Sequence, residues 1–186
     1  MDYEHMLGPD GTEDNLGGTA GFFLCAPKSY FAANGVTEAV TLEDGTTLEE
    51  IGENSTDFTF LSGKGWLRVY CTFDKGSLEG MVQGERDGRS YKQVGKAFLP
   101  GIAARTLGFM RKAKNDRWVA LIPTVDRKWI QMGDIFFDTE IYATKIGTAT
   151  NSQGVRGSDI ELGCMGSGIC VYTGTDPLTQ LMSTSS

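Results

Sequence analysis

Apolar positions along this chain come mostly in short runs that either alternate with polar ones or fill a few places before a glycine interrupts them. Runs of that kind read as β-strands. Gly21–Ala26 (GFFLCA) is a short apolar strand, and Thr56–Leu61 (TDFTFL) alternates as a half-buried one does. Trp66–Phe73 puts Leu67, Val69, Cys71 and Phe73 on one face and Trp66, Arg68, Tyr70 and Thr72 on the other. Thr37–Leu42 and Thr47–Ile51 flank Glu43-Asp44-Gly45, which predicts a hairpin or an extended loop. Ser77–Gly84 is followed by a turn at Arg86-Asp87-Gly88-Arg89. Trp118–Val125 (WVALIPTV) is almost continuously apolar, the pattern of a central strand covered on both faces, and Pro123 marks its end. Lys128–Met132 pairs with it across Asp126-Arg127. Glu140–Gly147, Ser158–Cys164 and Gly168–Tyr172 close the pattern, the last two as a glycine-rich hairpin.

One stretch departs from this period. Between Lys96 and Asn115, Leu99, Ile102, Ala103, Thr106, Leu107 and Met110 recur at steps of three and four, which predicts an amphipathic helix over about residues 99–114. Pro100 suits its first turn, and Arg111, Lys112 and Lys114 suit its last. Leu99, Ile102, Leu107 and Met110 are expected against the sheet. The elements add up to a mainly β fold: an antiparallel β-sandwich or barrel with one flanking α-helix.

Residues 1–19 read as an N-terminal arm, with turn residues and no apolar period. Residues 20–174 read as a single β domain, and residues 175–186 as a polar C-terminal tail that frays. The 25 glycines among 186 residues fit a design with many turns. No apolar run nears the ~20 residues that a membrane-spanning helix needs. The acidic first residues lack the basic and apolar regions of a signal peptide, so assembly in a cytosol is expected.

Charge changes the picture more than composition does. Residues 1–61 carry twelve acids and one base, residues 62–133 six acids and fourteen bases, and residues 134–186 six acids and two bases. Such blocks are either solvated surface or complementary faces that meet in a neighbouring copy of the chain.

Catalytic equipment is sparse. The single histidine, His5, lies in the arm. Cys25, Cys71, Cys164 and Cys170 form no Cys-x-x-Cys pair and read as small buried hydrophobes. Glu49/Glu50 and Asp134/Asp138 are carboxylate pairs in solvated loops. Gly163–Gly168 (GCMGSG) lacks the Lys-Ser/Thr and the following helix of a phosphate-binding loop. Arg105, Arg111, Lys112 and Lys114 make a basic helix face on an acidic protein of net charge −7. The reading is a non-enzyme with no catalytic, cofactor-binding or metal-binding residues and no cofactor.

The order of strands, one amphipathic helix, a hairpin and closing strands resembles the tail tube proteins of long-tailed bacteriophages, a family that shares its fold with the type VI secretion tube protein. The residues that carry the likeness are Gly63-Lys64-Gly65-Trp66 leading into a strand, the Gly101–Ala113 helix and the Trp118–Gly133 hairpin. Ile141–Lys145 and the Thr148–Gly157 loop follow in the expected order. The likeness covers roughly residues 20–172 and rests on element order rather than a diagnostic motif. It implies a structural virion protein, the major tail tube subunit. Homo-oligomeric, hexameric rings would stack into a hollow conduit for DNA ejection, joined to other virion tail proteins. Double-stranded DNA would pass without specific contacts and no membrane would be entered. The subunit would be assembled in the host cytoplasm and located in the virion tail. A conduit of this kind is expected to line its bore with more Asp and Glu than Lys and Arg. The rival readings are another phage structural protein (a tail terminator, a head–tail connector or a capsid decoration protein) and a ligand-binding β-sandwich with Trp66, Trp118 and Trp129 as stacking faces.

Overall fold

The computed structural model describes residues 17–148 and 156–183. Ten strands and two helices follow in order: β1 (Phe22–Pro27), α1 (Leu48–Gly52), β2 (Glu53–Asn54), β3 (Leu67–Tyr70), β4 (Ser77–Gln83), β5 (Ser90–Pro100), α2 (Ala104–Ala113), β6 (Trp118–Pro123), β7 (Trp129–Met132), β8 (Thr139–Gly147), β9 (Gly157–Gly166) and β10 (Cys170–Tyr172). The fold is mainly β, a sandwich with α2 on its flank. Most of the expected arm, residues 1–16, lies outside the described residues, as does much of the Thr148–Gly157 loop.

β6 organises the molecule. All six of its residues are buried. β1 pairs along one side of it; β7 pairs along the other, and the single pair Trp118↔Thr139 then hands the path on to β8. One layer therefore runs β3-β1-β6-β7-β10-β2 and the second β8-β9-β5-β4. Trp118, Ala120 and Ile122 point between the layers, where they meet Phe23, Cys25, Met132, Ile141, Ile160 and Leu162. The layers approach so closely at Gly95 of β5 that a Cβ there would lie 2.8 Å from the Ile122 Cδ1. The alternate residues, Val119 and Leu121, face the other way into a second core with Leu24, Phe31, Phe58, Trp66 and Tyr172. A strand covered on both faces has no polar alternation to keep, which is why its sequence is continuously apolar.

The helix lies further along the chain than its periodicity predicts. Lys96–Pro100 belong to β5, with Leu99 opposite Ser158 and Ala97 opposite Ile160. The apolar steps from Leu99 to Met110 therefore span the end of a strand, a turn and a helix. The buried side of α2 is Met110 and Ala113, with Phe109 packed on Trp118 at 5.9 Å between ring centroids. Leu107, expected inside, is exposed. The 37–51 hairpin is also corrected: Thr47–Glu50 starts the short helix α1 instead. Thr47 Oγ1 accepts from the Glu50 N–H at 3.2 Å, and Glu50 Oε2 accepts from the Thr46 N–H at 2.8 Å. That is a capping pattern, which competes well with a turn of a hairpin. Phe58 and Phe60 face inward as their alternation predicts, yet only the bridge Phe31↔Phe60 forms there. Phe73, placed on one face of a Trp66–Phe73 strand with Leu67, Val69 and Cys71, lies beyond the end of β3 and is exposed. β9 and β10 make no hairpin with each other: β9 pairs with β5 and β8, whereas β10 crosses to the other layer and pairs with β7 and β2.

The segment after Gly174 is docked as far as Met182. Pro177 is buried, and the Trp66 N–H donates to the Gln180 carbonyl at 2.9 Å while the Met182 N–H donates to the Trp66 carbonyl at 3.0 Å. Asp57 fastens its start, accepting from the Thr175 N–H at 2.6 Å and from the Thr175 hydroxyl at 2.9 Å. The backbone donor first and the hydroxyl second hold the Asp57 carboxyl below its ordinary value. A carboxyl lowered by folding stabilises the fold where it is ionised, so this contribution is present at neutral pH and is lost as pH falls through the folded pKa. The protection of the Thr175 amide from hydrogen exchange should therefore drop on acidification below about pH 4, while the Leu121 amide stays protected. An Asp57→Asn variant should lose that pH dependence; protection of Thr175 that falls only together with that of Leu121 on acidification would contradict the assignment.

Candidate functional site

Several of the residues weighed for chemistry are engaged in local contacts of the fold. Glu50 is occupied by the start of α1, where Thr46 donates to it through N–H and hydroxyl. Asp138 is paired with Lys28 and with Arg117 at 3.4 Å. Gly163–Gly166 are strand residues, and the Gly168 carbonyl accepts from the Gln93 Nε2 at 3.0 Å, so the glycine-rich run is a crossing between layers. All four cysteines are free thiols. Burial pushes the Cys170 thiol up to about 11 and raises Cys25, Cys71 and Cys164, so the thiolate that would act as a nucleophile is disfavoured at each. Trp66 and Trp118 are buried in the two cores, and only Trp129 keeps a half-buried ring. The described residues hold no cluster of three or more His, Cys, Asp and Glu that could bind a metal. None of their helices is long and apolar enough to cross a membrane. His5 lies outside the described residues.

What the fold does display is unspent surface for assembly. Among the described residues β4 pairs with β5 alone, so one side of its backbone has no strand against it there. Toward its tip Met81, Val82 and Tyr91 are exposed, as is Met165 on β9. Met81 and Met165 flank Lys92 on the outer face, and Val82 pairs with Tyr91 on the inner one. Near its tip the hairpin therefore exposes apolar side chains on both faces.

A second apolar feature is a knob between β7 and β8. Gly133, at φ 85°, turns the chain outward; a Cβ there would lie 2.8 Å from the Thr139 Oγ1 and 3.1 Å from the Trp118 carbonyl. Asp134 Oδ1 then accepts from the N–H groups of Phe136 at 2.8 Å and Phe137 at 2.7 Å, and the Asp134 N–H donates to the Phe137 carbonyl at 2.9 Å. Lys28 Nζ donates to the Ile135 carbonyl at 3.1 Å. At the base, Gln131 Nε2 donates to the Gly133 carbonyl at 2.9 Å. On this tied loop Phe136 is 75% exposed and Ile135 47%. Sequence reasoning passed over it, taking Asp134 and Asp138 only as a carboxylate pair. The signal was available: two aromatics between two turn-forming aspartates.

The third feature is an apolar groove of about 590 Å³ lined by Phe22, Phe73, Pro123, Trp129 and Leu178, with Arg127 and Asp176 beside them. Its floor is set by the Phe22 and Trp129 rings, edge to face at 6.1 Å, with the Arg68 guanidinium 4.0 Å over Phe22. Phe73 and Leu178 are both exposed in it. An apolar residue held in water on a fixed backbone stabilises nothing in a monomer, and several together mark an interaction surface.

Comparison with protein-family models, with curated proteins and with solved structures gives no match.

Proposed function

We propose that this chain is a structural virion protein, the major tail tube subunit of a long-tailed bacteriophage, whose copies close into hexameric rings that stack into a hollow conduit for DNA ejection. The observation that carries the reading is β4, a seven-residue strand with one side of its backbone unpaired among the described residues and apolar residues exposed on both faces near its tip. A lone subunit with such an edge is a template for aggregation. A ring covers it with the next copy. The body supplies two unlike edges, β4 in one layer and β3 in the other, as a head-to-tail cyclic contact requires. The acidic block of residues 1–61 and the basic block of residues 62–133 give neighbouring copies complementary charge. The outer face of the β8-β9-β5-β4 layer suits the bore. It interleaves Glu79, Glu140, Asp159 and Glu161 with Lys92, Lys96 and Lys145, so phosphates meet slightly more repulsion than attraction and slide past. The order of elements adds the resemblance to the tail tube family.

The test is sedimentation velocity over rising protein concentration, with a Met81→Lys, Val82→Lys double variant beside the wild type. The wild type should pass from monomer to rings and then to longer assemblies. The double variant, changed only at exposed positions, should melt within a few degrees of wild type and stay monomeric. Wild-type assembly that halts at a single ring would favour a tail terminator. Assembly unaffected by the two lysines would remove β4 from the ring contact.

A further inference from the structure

We infer that the groove of Phe22, Phe73, Trp129 and Leu178 is the docking site of the chain's own N-terminal segment: Leu16 and the Met6-Leu7 pair seat in it and cover it within the single subunit. The inference concerns one copy alone and stands without the tube reading. Its geometric ground is where the described residues begin. Gly17 and Gly18 are exposed, and a Cβ on Gly18 would lie 3.7 Å from the Val125 Cγ2. Thr19 bridges to Thr124, and the Ala20 N–H donates to the Pro123 carbonyl at 2.8 Å. Ala20, Gly21, Pro123, Thr124 and Val125 are themselves part of the groove lining. The chain therefore runs along the groove wall, and residues 1–16 are tethered at its rim. Gly18, at φ 103°, makes a turn there that a residue with a side chain rarely adopts.

Reach, chemistry and strength fit this occupant. Leu16 lies four residues before Ala20, within ~13 Å of it at ~3.3 Å per residue, and Leu7 lies thirteen before, within ~43 Å. Between them Gly8-Pro9-Asp10-Gly11 carries the residue types of a turn, which would let the Met6-Leu7 pair return to the groove. The Phe22 and Trp129 rings form the floor, and Phe73 and Leu178 are the exposed members of the lining, so the groove suits aliphatic and thioether side chains. The lining charges, Arg127 and Asp176, cancel, so the acids of the segment (Asp2, Glu4, Asp10, Glu13 and Asp14) meet no net repulsion from the lining. Strength explains why the occupant is tethered. Two or three such side chains hold at only about millimolar strength on a free peptide. A short tether supplies a local concentration of the same ~millimolar order. The contact is thus populated within one chain, scarcely made between dilute chains, and yielded to a partner that binds the groove more tightly.

The experiment reads acrylamide quenching of tryptophan fluorescence. Trp66 and Trp118 are 1% and 3% exposed, so the quenchable ring is Trp129 on the groove floor. Each protein is measured with and without Trp129→Phe, and the difference isolates that ring. The full-length chain, a chain lacking residues 2–16, a Leu16→Asp variant and a Met6→Asp, Leu7→Asp double variant are compared at a concentration where sedimentation shows single subunits. Thermal melting checks that each is folded. Quenching of Trp129 should rise at least about twofold in the shortened chain, rise in both substituted chains, and stay constant when the full-length chain is diluted about tenfold. Equal quenching in the full-length and shortened chains would overturn the docking. A rise in the shortened chain that neither substituted chain shows would overturn seating by these side chains. Quenching of the full-length chain that grows on dilution would give the groove to the segment of a second copy and overturn the contact within one chain. None of these outcomes depends on ring formation, so the tube reading is judged separately.

Discussion

Replacing Trp66 by alanine should destabilise the subunit by about 3–5 kcal/mol, the range for deleting a buried aromatic ring. Trp66 is 1% exposed, and its ring meets Phe58 at 5.0 Å, Phe60 at 5.3 Å and Phe31 at 5.6 Å between centroids, each nearly edge to face. That cluster is the cover over the outer face of β6, so the loss propagates into the sheet from the two segments that carry it, Phe31 after β1 and Phe58 and Phe60 after β2. The backbone of Trp66 also clasps Gln180 and Met182, which makes it the residue where the C-terminal segment is held. Leu107→Ala is the comparison. Periodicity puts Leu107 inside, but it is exposed on α2, and its truncation should change stability by no more than about 0.5 kcal/mol. Urea denaturation of both variants checks the pair. Midpoints that fall equally for the two would return Leu107 to the core and contradict the packing of α2 described above.

The second large effect is expected from Asn54→Ala. Asn54 is 1% exposed and ties three segments together. Its Nδ2 donates to the Thr37 Oγ1 at 2.9 Å and to the Gln131 Oε1 at 2.8 Å, and its Oδ1 accepts from the Thr56 N–H at 3.1 Å. Gln131 Nε2 in turn donates to the Thr37 carbonyl at 2.8 Å. Every member of this buried network has its partners, which is the condition under which such networks stabilise and specify a fold. Alanine at 54 strands the buried Gln131 Oε1, whereas the Thr56 N–H belongs to an exposed residue that water can reach, so a loss of about 1–3 kcal/mol, the cost of one buried unsatisfied group, is expected. Asn54→Asp should be at least as damaging, because an ionised carboxylate has no hydrogen to offer Gln131. A double-mutant cycle with Gln131→Ala should show coupling, measured by denaturation; additive losses would mean that the two side chains act independently. Because Gln131 also holds the Gly133 carbonyl, Asn54→Ala should loosen the knob as well as the core.

Much of this architecture was legible where one physical demand dominated the local sequence. β6 and β7 follow from a continuous apolar run and a short turn, which closes with three residues, Val125–Arg127, between Thr124 and Lys128 rather than with Asp126-Arg127 alone, and β8 and β9 follow from their own strand-like runs. The helix was legible in kind but not in phase. Leu99 and Ile102 happen to extend the three- and four-residue steps of α2 backwards across a strand end, so the buried face was drawn one position off and Phe109 was missed. Ser90–Pro100 hid as a strand because Gly95 and Gln93 interrupt its inner face, one to admit Ile122 and the other to hold the Gly168 carbonyl. The pairing of β10 with β2 and β7 was not legible at all: a three-residue strand carries no register of its own, and tertiary packing chooses its partners. The docked C-terminal segment is polar by composition and is held through backbone groups, which a hydropathy pattern does not register. For the assembly surface, the aromatic pair Phe136-Phe137 was visible, but its exposure follows only from the Asp134 turn that points it outward.

The measurement that tests the central claim most directly is electron microscopy of the purified full-length chain at high concentration. Stacked rings with an open bore, lined on the face that carries Glu79, Glu140, Asp159 and Glu161, are the result expected. Monodisperse single subunits at every concentration, with no ring at any stage, would contradict the claim that this chain is built to assemble with itself.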